Sequence, residues 1–110
     1  MKGLPPSLKP KKRYIAFKIL SEREISQDKF LKALLSNMLN LFGECFAAKS
    51  DISIEYFNDG KGIVRCNKEA LDKVIIALTL INSVEDIKVV PLTLGVSGTI
   101  KRCKRKYLEG

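Results

Sequence analysis

The hydrophobic repeat of this chain changes period in a fixed order, and that order narrows the fold more than any other feature. Residues 13–20, RYIAFKIL, alternate and are dense in β-branched and aromatic types, which predicts a strand with Ile15, Phe17 and Ile19 on its core face. From Asp28 to Phe42 the spacing lengthens, with Phe30, Leu31, Leu34, Leu35, Met38, Leu39, Leu41 and Phe42 recurring at helical intervals. Ser26 or Asp28 can cap that helix, and Gly43 is its stop signal. Alternation returns at Ile52, Ile54 and Tyr56, and Asn58-Asp59-Gly60 supplies hairpin chemistry before a return strand, Ile63 to Cys66. Residues 44–50 either form a short strand of their own or lead into this hairpin.

Asn67 is placed to cap a second helix over Lys68–Asn82, with Leu71, Val74 or Ile75, Leu78 and Ile81 facing the core. Ile76, Ala77 and Leu80 carry apolar surface further round than one core contact needs, which suggests deep burial or a protein-interface surface. Residues 86–95 predict a last strand, placed by Pro91 at a sheet edge or a bulge. The order βαββαβ is the split βαβ arrangement: an α+β, ferredoxin-like sandwich with an antiparallel sheet and helices on one face, shared by RNA-recognition modules. Residues 1–10 hold three of the four prolines and are expected to form an extended arm, leaving 11–110 as a single α+β domain.

Charge is concentrated at the two ends. The net charge is +8, yet residues 14–100 carry ten bases and eleven acids. Lys2, Lys9, Lys11, Lys12 and Arg13 lie at one end, and Lys101, Arg102, Lys104, Arg105 and Lys106 at the other. That footprint suits phosphate neutralisation on a nucleic acid; basic ends that merely aid solubility are the competing explanation. Ile100, Cys103 and Tyr107 fall at i, i+3 and i+7, so the basic tail predicts a short helix docked by Ile100 and Tyr107, with Ser97-Gly98-Thr99 at its start.

A hydrophobic content of 45% excludes a disordered polyelectrolyte. No apolar run approaches the roughly 18–20 residues of a membrane span, and no apolar region follows the basic N-terminus as in a signal peptide, so a cytoplasmic protein is expected. The chain has no histidine, and its three cysteines, Cys45, Cys66 and Cys103, are widely spaced. A zinc site is therefore disfavoured, reduced thiols are expected, and no catalytic constellation is visible. Base stacking on the sheet is also disfavoured. Lys61-Gly62 begins like an RNA-recognition strand, but the aromatics that should follow are missing, leaving Tyr14 as the one candidate.

Three stretches then carry a family resemblance: LPPSLKPKKRYIAFKI, GIVRCNKEALDKVIIALTLI and PLTLGVSGTIKRCKRKY. Leu4-Pro5-Pro6 ahead of Arg13-Tyr14-Ile15, then Gly62 to Cys66, then Ser97 to Lys101 are the most specific pieces. In order and spacing the chain resembles the Pop-five family of archaeal ribonuclease P protein subunits over nearly its whole length. The resemblance implies a non-catalytic subunit that supports a catalytic RNA in removing the 5′ leader from precursor tRNA. It implies no cofactor on the protein itself, with magnesium ions held by the RNA. The implied partners are ribonuclease P RNA, a TIM-barrel-like ribonuclease P subunit, other ribonuclease P proteins and, in the holoenzyme, precursor tRNA. Carried over by position, Arg13 with Lys11 and Lys12, and Lys101 to Lys106, would face phosphates. Lys9, Ser97, Gly98 and Thr99 join them as RNA-binding candidates: the Gly98-Thr99 helix start could offer backbone donors to one phosphate, and Leu4-Pro5-Pro6 would be an arm that orders on the RNA.

Three other classes compete: a ribosomal or generic RNA-binding protein, a small-ligand regulatory domain, and an acylphosphatase-type enzyme. The last needs an anion-cradling loop with an Arg after the first strand, and Ser21-Glu22-Arg23-Glu24 is acidic around its Arg.

Overall fold

In the computed structural model, which describes residues 11–109, strand β1 spans Lys12–Ser21. Helix α1 follows at Gln27–Phe42, and Ser26 is its cap, its Oγ accepting from the Lys29 N–H at 3.3 Å. Residues 44–50 form no strand: Glu44–Lys49 is a short helix, α2, separated from α1 by Gly43 at a φ of 88°. The hairpin comprises β2 at Ser53–Asn58 and β3 at Lys61–Asn67. Its loop, Asp59-Gly60, has positive φ at both residues, the backbone twist that matches paired strands.

A single 3₁₀ turn, Lys68–Ala70, leads into α3 at Leu71–Thr79. This helix ends three residues before the expected Asn82, because the chain turns at Leu80 to form β4, Ser83–Val84. Strand β5 then runs over Ile87–Ser97, longer than the sequence pattern predicts. Helix α4, Ile100–Cys103, continues in wider π-type turns over Lys104–Leu108.

The antiparallel sheet has the order β2-β3-β1-β5-β4, the ferredoxin-like order extended by a two-residue strand. Beyond the β4 pairs at Ile87 and Lys88, one edge of β5 has no neighbouring strand among the described residues. Pro91 lies in this open-edged stretch, where a sheet tolerates a residue without an N–H. The register shift between β1 and β5 falls elsewhere, at Leu94 of β5, which is left unpaired between Thr93 opposite Phe17 and Gly95 opposite Ala16.

One face of the sheet carries the main core. Ile15, Phe17, Ile19, Val64 and Val89 pack beneath Phe30, Leu34 and Met38 of α1 and Val74, Ala77 and Leu78 of α3. The Phe17 and Phe30 rings stack with centroids 5.2 Å apart. Of the surplus apolar residues of this helix, Ala77 takes the deep-burial alternative and is fully buried; its carbonyl accepts from Asn37 Nδ2 at 3.0 Å, where α1 and α3 touch. Ile76 and Leu80 are 47% and 56% exposed, so the surplus apolar surface narrows to these two.

Cys66 sits in this core, and burial pushes its thiol up to about 11. A raised folded-state value favours the protonated thiol, so this stability is complete below about pH 8.5 and is lost as pH rises towards 11. Wild type should therefore lose stability between pH 9 and 11 more steeply than Cys66→Val, compared by urea unfolding at each pH. Parallel curves would show that the thiol does not ionise on unfolding in that range.

Candidate nucleic-acid interface

The strand register brings the two basic ends together. Tyr14 pairs with Ser97 on β5 and with Arg65 on β3, so the start of β1 lies beside the start of the tail helix. Arg13 Nη1 lies 4.0 Å from where a β-carbon on Gly98 would sit. The Lys68 N–H donates to the Lys11 carbonyl at 2.8 Å, which adds Lys68 to the same end of the sheet. Sequence reasoning missed Lys68; the signal was the return strand ending opposite Lys12, which puts the next residue beside Lys11.

The tail helix crosses the sheet face opposite the main core. Cys103 is fully buried against Ala16 and Ile63, with Tyr14, Tyr56, Tyr107 and Leu108 around them. The Cys103 thiol donates to the Tyr14 carbonyl at 3.6 Å, and the Tyr107 hydroxyl donates to the Val96 carbonyl at 3.5 Å. The Tyr107 ring lies directly on Gly95; a β-carbon there would come within 2.1 Å of it. Cys103 and Tyr107 are therefore the anchors. Ile100, expected to dock the helix, is exposed at the first turn, because the helix meets the sheet one turn later. Its docking also covers the Tyr14 and Tyr56 end of the sheet, the region an RNA-recognition module uses for bases.

The predicted RNA-facing residues separate by environment. Lys101, Arg102, Arg105 and Lys106 are exposed. Lys104 turns inward, its Nζ 4.4 Å from the Tyr56 ring centroid, a cation–π contact that ties the helix to β2. Ser97 is buried, and its Oγ accepts from the Thr99 N–H at 3.5 Å. Thr99 Oγ1 accepts from the Arg102 N–H at 3.3 Å. These cap bonds use donors of the helix start, leaving side-chain cations as its main outward groups.

Lys12 is half-buried, and it pairs with Asp51 and donates to Asn67 Oδ1 at 2.6 Å. The hydrogen bond and charge of Lys12 hold the Asp51 carboxyl below its ordinary range. Asn67 does not cap the following helix; its Nδ2 donates to the Lys49 carbonyl at 2.6 Å instead, joining β3 to the end of α2. Arg13 is half-buried, with Nη1 donating to the Lys12 carbonyl at 2.9 Å, and Lys11 is exposed. Lys9 and Leu4-Pro5-Pro6 lie outside the described residues.

A model of the Rpp14/Pop5 family matches residues 13–108. The chain is 62% identical to ribonuclease P protein component 2 of Archaeoglobus fulgidus, over 99% of each chain. It is 42% identical to the component 2 protein of Pyrococcus furiosus, over 98% of this chain and 92% of that one. Among solved structures it resembles a chain of yeast ribonuclease MRP with a TM-score of 0.67 at 16% identity, covering 83% of this chain and 76% of that one. The last match speaks for the fold.

Proposed function

The chain belongs to the Rpp14/Pop5 family, and from that premise we propose that it is a non-catalytic, RNA-binding protein subunit of ribonuclease P. One observation carries the RNA-binding part: two basic segments from opposite ends of the chain meet on one end of the sheet, beside Tyr14 and Ser97. A compact RNA is opposed by repulsion among its own phosphates. Cations fixed on a folded surface offset that repulsion and release counterions. Cys103 and Tyr107 hold the tail in place before RNA arrives, so less ordering entropy is lost on binding. Interactions of this kind fix position and orientation without reading base sequence.

In this reading the RNA holds the catalytic magnesium ions and cleaves precursor tRNA, while the protein supplies charge and shape. Ile76 and Leu80 would meet the barrel-like ribonuclease P subunit, since both are apolar, exposed and one helical turn apart. Reconstitution with ribonuclease P RNA and the companion proteins tests the whole assignment. Adding this chain should lower the magnesium requirement for cleavage of precursor tRNA, and no change in requirement or rate would refute the subunit role.

A further inference from the structure

The tail helix covers only one half of the outer sheet face. On the other half, strand pairing places Lys61, Lys18 and Leu92 in one cross-strand row and Leu20 with Val90 in the next. Leu20, Val90 and Leu92 are 47%, 53% and 42% exposed. Lys88 precedes Val90 by two residues on β5 and so shares this face. Among the described residues, Lys18, Lys61 and Lys88 make no ion pair.

Two of these facts are unfavourable for a surface that meets only water. Lys18 and Lys61 stand directly opposite each other, and like charges in that position repel. Three aliphatic side chains beside them form a contiguous apolar strip. An occupant with apolar groups flanked by carboxylates would relieve both. RNA phosphates would bring the anionic charge but leave Leu20, Val90 and Leu92 uncovered, and these two rows hold no aromatic ring on which a base could stack.

We propose that this half-face docks an acidic, amphipathic protein segment, with its apolar side chains on Leu20, Val90 and Leu92 and its carboxylates at Lys18, Lys61 and Lys88. The surface is separate from the basic tail and from Ile76 and Leu80, and the proposal stands whether or not the RNA-binding reading does.

The test uses the full chain and a short synthetic peptide alternating valine with glutamate. Controls are the same peptide with lysine for glutamate, and a short oligouridylate. The acidic peptide should bind, more weakly at high salt, and should shift the backbone amide signals of Lys18, Leu20, Val90 and Leu92. Lys18→Glu/Lys61→Glu should weaken binding by about tenfold or more. Leu92→Glu should weaken it similarly, while both variants keep the wild-type circular dichroism and affinity for ribonuclease P RNA. No binding of the acidic peptide, or equal binding of the lysine peptide, would overturn the proposal. Tighter binding of oligouridylate at the same amides would overturn it too, assigning the face to RNA.

Discussion

Replacing Lys101, Arg102, Arg105 and Lys106 together with glutamine is expected to weaken binding to ribonuclease P RNA by about a hundredfold near physiological salt. The four side chains are exposed, and Lys106, whose Nζ lies 5.5 Å from the ring centroid of its sequence neighbour Tyr107, makes no contact that ties the helix to the sheet through its ammonium, so their removal costs little packing. Lys104 is left in place because its ammonium lies over the Tyr56 ring and helps hold the helix down. Each cation that no longer meets a phosphate should reduce the slope of log affinity against log salt by about 0.7–0.9. The variant should therefore bind with a slope shallower by about 3, with thermal unfolding unchanged. Filter binding across a salt series gives both quantities. A weaker affinity with an unchanged slope would mean that these cations act through structure; an unchanged slope and affinity would remove the tail from the interface.

Much of the fold was legible because it rests on periodicity. The β1 pattern, the α1 stripe and the Asp59-Gly60 turn are local signals, and each element formed where its signal lay. What was not legible depended on pairing between distant segments. Strand β4 is two residues long and exists only because Ser83 and Val84 meet Lys88 and Ile87. Residues 44–50 had no period long enough to choose helix over strand. Asn67 has the residue type of a helix cap, but Lys12 and Lys49 offered its carboxamide better partners across the fold.

The candidate site shows the same division. Its charge was readable from composition along the chain, and the helical stripe of the tail was readable from spacing. Which face of the sheet that helix would cover was not. Ile100, Cys103 and Tyr107 share a side of an ideal helix, yet the sheet touches the last two and leaves the first exposed. The outer-face lysines were invisible for a related reason. Lys18 and Lys61 look like ordinary surface residues until β1 and β3 set them opposite each other.

Gly95→Ala should separate the charge of the tail from its position. Gly95 pairs with Ala16 in the middle of the sheet, and Tyr107 lies across it, occupying the space a β-carbon would take. The sheet there is held on its other face by the main core, whereas the tail helix rests on the much smaller cluster around Cys103 and Tyr107. The steric conflict should therefore lift the helix and leave the sheet intact, at a cost of about 1–3 kcal/mol in tail docking. Cys103 should then react with a thiol reagent far faster than in the wild type, because burial both shields it and raises its pKa. The cations would all remain, but on a segment that must be ordered during binding. RNA affinity should fall by about tenfold while the salt slope stays near the wild-type value, the reverse of the pattern expected when the charges are removed. If Cys103 becomes reactive and affinity does not change, fixed placement of the tail contributes nothing to RNA binding, and the cations act as a mobile cloud.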